Sequence, residues 1–599
     1  MTAARRGQEP LKLDVPESDS NHDLPPISAL FLIYFDIKAG YTVSWKRVLP
    51  GVGVEGVVEY KSLPSGLHTV SEDLIYFIHE NHAGLSAFIN APADEESRNA
   101  RMIAVGVMVP LSYGRLGRSW KHADMLKKIA RELIVDTSNT KILEDFWEEH
   151  KSSESIMSRE SDPLLLDSPS SLTFQSIRPS QSKPDHGRSH SASDGAAPLP
   201  PGHNLSSHHP AWSLPLLLDT FGPLIFPIHR AALLRKRILI TGHAPVHETC
   251  NFVYDISILS NIPLAVCDLL SPSALPQRLR PLFSIGVHDI PFLEEDLRFA
   301  KASSTTLNSD AEVTDEKGHG WIACTTDSIL AMKSSLYDVL ISMPPPYSEG
   351  AKEKVWPKVE SPQGVEMKAT QRDLRRYTAL KWALSRRPSP PPSPGGEGST
   401  RPRATSSAST IRTRDDPLLD IPDTDSIVEP LSWSALAYSG FMWWASAGEQ
   451  RLQTDEEAEN DAILLSGLNL THSPQTPGES SPSISSIRTT NVPAQQEMAI
   501  VAYFHRLTTQ MLSTLSDIID SADSDDDRED QALTPSSEAN ENEGSGPAVY
   551  VSSMDVTRMG LDVWSANDKL FIEAIGREYF GVRAQVEGRN VDICGIKIC

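Results

Sequence analysis

The chain has 599 residues, 45 of them proline, and carries 55 basic against 79 acidic side chains, a formal net charge of −24. Long Ser- and Pro-rich tracts leave much of that length unable to pack, and the averaged negative field repels nucleic acid and anionic lipid unless a local basic patch overrides it. The five cysteines, Cys250, Cys267, Cys324, Cys594 and Cys599, sit singly in apolar segments and form no CxxC, which fits reduced structural thiols in a reducing compartment better than disulfides or zinc.

Residues 1–26 are polar and lack the apolar core of a secretory signal, so the mature chain is expected to begin here, disordered and in the cytoplasm. From Ile27 to Pro110 six strand-like runs follow one another: ALFLIYFDI, YTVSWKRVL, VVEYKSL, DLIYFIH, LSAFINA and MIAVGVMV, parted by Gly, Pro and Asn turns. Over Ser119 to Val135 the period changes. Trp120, Ala123, Leu126, Ile129, Ala130 and Leu133 recur every three to four residues, while Lys127, Lys128, Arg131 and Glu132 point the other way, which predicts an amphipathic helix. Strands followed by such a helix make an α+β module over 27–151, with the helix covering a mostly antiparallel sheet.

Residues 152–210, rich in Ser, Pro and His, bury too little to offset the entropy of ordering and are expected to be a disordered linker. A second packed block over 211–385 alternates strand-length and helix-length apolar runs, among them RILI, TCNFVYDISILS, LFSIGVHDI and GWIACTTDSIL. That pattern predicts an α/β unit with its sheet buried on both faces. Residues 386–423, opening RRPSPPPSPGGEG, form a second linker. The remainder, 424–599, reads as a helical region with polar or acidic disordered inserts near 473–492 and 521–546. Its predicted helices are Leu431 to Ala447, Met498 to Ile519, and a last one capped by Ser565 with Asp568 in its first turn; VDICGIKIC reads as a short strand. Leu431 to Ala447 is uncharged but shorter than the roughly 20 residues a membrane span needs, so a buried helix and no transmembrane segment are expected.

Few motifs suggest chemistry. Gly51, Gly53 and Gly56 spell G-x-G-x-x-G, but Pro50 before them and the strand-like VVEYK after them do not suit a phosphate-binding turn, and a hairpin loop is expected. No P-loop and no G-x-S-x-G elbow occurs. His243, His247 and Cys250 have part of a metal-ligand spacing, which Pro245 breaks; no metal and no cofactor are expected. The histidines at 186, 190, 203, 208 and 209 fall in the first linker, and the acidic run Asp523 to Asp530 reads as a solvated loop. Arg235, Lys236 and Arg237 form a compact basic run, the candidate contact for a charged partner; side chains snorkelling at a sheet edge are the plainer alternative.

The order of the stretches FDIKAGYTVSWK, VEYKSLPSGLH, DLIYFIHENHAGLSAFIN, RNARMIAVGVMVPLSY, ALLRKRILI and GWIACTTDSILAMKSSLYDVLIS resembles the DENN-domain family, within it the LCHN-like branch. LSWSALAYSGFMWWASAG and LDVWSANDKLFIEAIGREYFGV look like the C-terminal region of fungal members of that branch. The resemblance implies a tripartite architecture: a longin-like upstream lobe, a central α/β lobe and a helical downstream region. It also implies that the protein binds a Rab-family GTPase in membrane traffic, as a guanine-nucleotide exchange factor or, alternatively, as a non-catalytic adaptor or effector, with peripheral recruitment to endomembranes.

Overall fold

A computed structural model of the chain describes residues 24–36, 38, 40–92, 100–152, 205–303, 318–351, 353–385, 424–430, 436, 447–466, 494–529, 548–587, 591–593 and 596–598. Five strands form its upstream part: β1 (Ala29–Asp36), β2 (Gly40–Val48), β3 (Glu72–His79), β4 (His82–Pro92) and β5 (Ala100–Pro110). All pair antiparallel, in the order β3-β4-β5-β1-β2. Ala29 to Ile33 are buried without a polar interruption, because β1 lies between two strands and under the helix layer.

The third strand-like run is not a strand. Val58–Lys61 is a single helical turn, here α1, in which Val58 is buried and Tyr60 faces out. Its β-branched composition is overridden by tertiary anchors: Gly51 and Gly56 turn the chain at φ +87° and +74°, Leu63 and Leu67 are buried, and the Lys61 ammonium donates to Ile78 O at 2.8 Å. The G-x-G-x-x-G run is therefore followed by helix rather than strand, but by one turn of four residues. The amphipathic helix forms as predicted, as a 3₁₀ turn over Ser119–His122 continued by α2 (Ala123–Val135), with Ala123, Leu126, Ile129, Ala130 and Leu133 inward. A further helix, α3 (Lys141–His150), buries Leu143, Phe146 and Trp147.

The central part holds α4 (Leu214–Phe221), α5 (Ile225–Leu233), β6 (Ile238–Thr241), α6 (His247–Leu259), α7 (Leu264–Cys267), β7 (Arg280–Ser284), α8 (Ile290–Ser303), β8 (Trp321–Thr325), α9 (Ser328–Met332), β9 (Val339–Ser342), β10 (Lys358–Glu360) and α10 (Gln371–Ser385). Strands β6 to β9 run parallel in the order β9-β6-β8-β7, and β10 adds antiparallel. Alternate residues serve two cores: Ile238, Ile240, Ile322 and Cys324 share one with α6, while Leu239, Trp321 and Ala323 share the other with Leu293 of α8 and Leu330 of α9. That is the doubly covered sheet the apolar runs predicted. The two sheets are continuous: β3 meets β7 through the pair Phe77 and Phe283, giving ten strands in one sheet.

Residues 205–210, placed in the linker by composition, are packed. Trp120 donates to Ser206 Oγ at 2.9 Å, His208 pairs with Asp124 at 2.6 Å, and buried His209 caps the next turn; the aromatic and imidazole side chains supply burial that Ser and Pro could not. Residues 210–233 are the one described helical run long and apolar enough to cross a membrane, and 67% of its apolar 18-residue stretch is buried in the protein. Downstream come α11 (Ala447–Leu465), α12 (Gln495–Glu529), β11 (Ala548–Val551), α13 (Ser553–Arg558), α14 (Ala566–Ile575), β12 (Arg583–Val586), β13 (Val591–Ile593) and β14 (Ile596–Ile598). Helix α12 carries on through the acidic run as far as Glu529, where a loop was expected. VDICGIKIC pairs as two short strands rather than one. The expected disorder at 153–204, 386–423 and 473–492, and almost all of the helix expected over Leu431 to Ala447, lie outside the described residues.

Candidate functional site

The carboxyl ends of β7 and β8 lead into the loops where a parallel sheet presents its binding groups, and here a loop of the upstream lobe lies across them. Lys61 Nζ pairs with Asp289 Oδ1 at 2.6 Å, the Tyr60 ring stacks on His288 at 3.7 Å between centroids, and the Ser65 hydroxyl donates to the Asp327 carboxylate. Asp327 Oδ2 also accepts the Val287 N–H at 3.3 Å, so one side chain ties both central loops to the upstream one. Asp289 turns back to accept the Gly286 N–H at 3.0 Å.

Beside this joint is an apolar face. Tyr60 is 47% exposed, Phe292 43%, Ile329 50% and Met332 74%. Phe292 lies one turn beyond His288, and Phe299, also exposed, continues that line along α8. Lys333, just past α9, reaches Glu294 of α8 at 3.2 Å and keeps the two helices side by side. Arg280 sits over the Phe292 ring at 6.0 Å. Exposed aromatics beside the joint, with an exposed Met on the next helix and charges near them, have the composition of a protein contact centre.

Under the face, the lobes are joined by groups that accept and donate internally. Asp73 of β3 is buried; its carboxylate accepts the N–H of Val246 at 2.7 Å, of His247 at 3.2 Å and of Leu74 at 2.8 Å, so it fills the anion-attracting start of α6. Burial outweighs those hydrogen bonds and pushes the Asp73 carboxyl up to about 6. Cys250 and Cys324, separate in sequence, come within 3.5 Å of one another, both buried, and burial pushes the Cys250 thiol up.

The basic run is divided by the fold. Arg235 is 5% exposed and its guanidinium donates to Pro276 O, Ala232 O and Ser260 O at 2.7, 2.8 and 3.1 Å, which removes it from any outside partner. Arg237 holds Asp338 through Nη2 at 2.7 Å and Nε at 3.1 Å; Lys236 between them is exposed. His243 is exposed in the loop before α6, whereas His247 opens that helix and Cys250 points inward, so the three do not converge. Among the described residues no three His, Cys, Asp or Glu side chains are grouped to hold a metal ion. Sequence reasoning missed Tyr60, Lys61, Phe292, Asp327 and Met332. Phe292 and Phe299 were readable in principle, being apolar residues out of phase with the buried Leu293 of the same helix.

Residues 30–353 match the family model described as DENN domain-containing protein 11, and residues 428–599 match one described as a domain of unknown function. A DENN domain-containing protein 11 of Danio rerio is 31% identical over 53% of this chain and 53% of its own length. Its namesake in Xenopus laevis is 30% identical over 55% of the chain and 61% of its own length, so the chain spans little more than half of these vertebrate relatives. An uncharacterised protein of Saccharomyces cerevisiae is 22% identical over 97% of the chain and 95% of its own length.

Proposed function

The chain belongs to the DENN domain-containing protein 11 family, and on that premise we propose that it regulates a Rab-family GTPase by binding it, with guanine-nucleotide exchange as the activity. The observation that carries this is the exposed face where Tyr60 of the upstream lobe stacks on His288, one turn before exposed Phe292, with Ile329 and Met332 exposed on the neighbouring α9, all backed by a continuous sheet. Exchange by such a face is differential binding. A surface that holds the nucleotide-free GTPase more tightly than the loaded one weakens nucleotide affinity by the same factor, with no general acid, base or metal of its own. The switch loops of a GTPase, ordered by phosphate and Mg²⁺, are the bistable element such a face would displace. We place this activity in the cytoplasm, with the protein recruited peripherally to the endomembrane that carries its GTPase.

Release of fluorescent GDP from a panel of purified Rab-family GTPases, with and without the full chain, tests this. Acceleration of one member that rises with protein concentration is the expected result. Failure on every member, with binding confined to a GTP-loaded one, would replace exchange by the adaptor alternative. Lys236, exposed at the amino end of β6, is the residue of the basic run still open to a charged partner, and we propose it as a separate contact away from that face: Lys236→Glu is expected to lower binding several-fold without unfolding.

A further inference from the structure

Arg230 of α5 is buried, and its guanidinium is shared by two carboxylates. Nη1 and Nη2 donate to Asp373 Oδ1 and Oδ2 at 2.9 and 2.7 Å, the forked geometry that suits one carboxylate well. Nε lies 3.3 Å from Asp568 Oδ1, yet that oxygen accepts no hydrogen bond among the described residues. Asp568 Oδ2 takes the Asp562 N–H at 2.8 Å, and the residue has no exposed surface. One cation thus faces two buried acids, and a second ionised carboxylate there would have neither solvent nor a cation of its own.

The other groups around the cluster do not supply that cation. On α10, Arg372 is engaged twice by Asp461 at 2.8 and 2.7 Å, Arg376 reaches the same carboxylate at 3.3 Å, and Arg375 holds Glu457 at 3.0 Å. Glu429 accepts from Asn567 at 3.0 Å, and Asp562 precedes α14; both add negative charge, and burial raises both carboxyls. His229, beside Arg230, is kept neutral by burial, its pKa lowered to about 3. Burial, only partly opposed by Arg230, raises the Asp568 carboxyl to about 7, and Asp373 adds to the rise.

We propose that Asp568 carries a proton while α14 is docked, and that losing this proton loosens α14 from the central lobe, so that attachment of the C-terminal region is a pH-dependent contact. The sign follows from linkage. A carboxyl that holds its proton more tightly in the docked state favours docking most at low pH, and the preference is lost as pH rises toward neutrality.

Hydrogen-exchange protection of amides 566–580, measured on the full chain from about pH 5.5 to about pH 8.5 and corrected for intrinsic exchange, reads the docking equilibrium. Protection is expected to fall by up to about tenfold per pH unit on the approach to neutrality and to level off above it. Asp568→Asn, the same shape without a titrating proton, is expected to flatten the profile. A flat profile in the unmodified protein, or a slope unchanged in Asp568→Asn, overturns the proposal. If that variant does not fold, Asp562→Asn serves in its place: removing a neighbouring acid is expected to move the midpoint to lower pH, and an unmoved midpoint, or loss of the slope altogether, overturns it.

Discussion

The central lobe is held on one side by the upstream lobe and on the other by the C-terminal region, and the two attachments differ in kind. Toward the upstream lobe the contacts include strand pairing at Phe77 and Phe283, Asp73 accepting backbone N–H groups, the Cys250 thiol donating to Tyr76 O at 3.8 Å and a close ion pair, Lys61 with Asp289. Toward the C-terminal region they are buried guanidiniums, Arg230, Arg372 and Arg376, each set against carboxylates supplied by another segment. Backbone dipoles are fixed by the fold and present in any sequence. Buried charges stabilise only while every member of the network is there, because a stranded ion keeps its desolvation cost and loses its partner. The first attachment should therefore tolerate substitution better than the second.

Arg230→Ala is the strongest way to break the contrast: it strands Asp373 and Asp568 and should cost about 3–5 kcal/mol, the range for one deleted member of a buried pair, read as a denaturant-midpoint shift with early loss of protection in 566–580. Asp73→Ala, at the other attachment, should cost less, about 1–3 kcal/mol, because two of the three freed N–H groups lie at one helix start that water can in part satisfy. Equal costs would mean that the two attachments do not differ as described. Phe292→Asp combined with Met332→Asp should leave stability within about 0.5 kcal/mol, both side chains being exposed, while GTPase binding falls by about 10- to 100-fold. Unchanged GDP release in that variant would move the partner face elsewhere.

The same contrast decides what could be read from the sequence. Period and burial gave α2, the doubly covered central sheet and the Ser565 cap, whose hydroxyl accepts the Asp568 N–H at 3.4 Å. Residues set by partners far along the chain were not legible. Val57 and Val58 look like strand and become one helical turn because Leu63, Leu67 and Lys61 are anchored elsewhere. Arg235 looks like a surface charge, yet three carbonyls hold it inside. Asp568 was read as an ordinary first-turn acid, and nothing local shows that Arg230, so distant in sequence, lies against it. Of the candidate face, the stretches that carry the family resemblance include Tyr60, Ile329 and Met332, but their exposure is known only from the packing around them.

The smallest effect separates the two attachments by pH. Asp73 and Asp568 both hold protons more tightly in the native state than in an unfolded chain, where a carboxyl titrates near ~4. Each therefore contributes most at low pH and less as pH rises, the loss ending near about 6 for Asp73 and about 7 for Asp568. Raising the pH through the interval between them should lower protection in α14 while leaving the start of α6 unchanged, since Asp73 is by then ionised and held by its three N–H donors. Protection that fell equally at both sites would point to one cooperative opening of the molecule. A fall confined to α14 would show that the charge-built attachment opens by itself, while the joint beneath the candidate GTPase face stays closed.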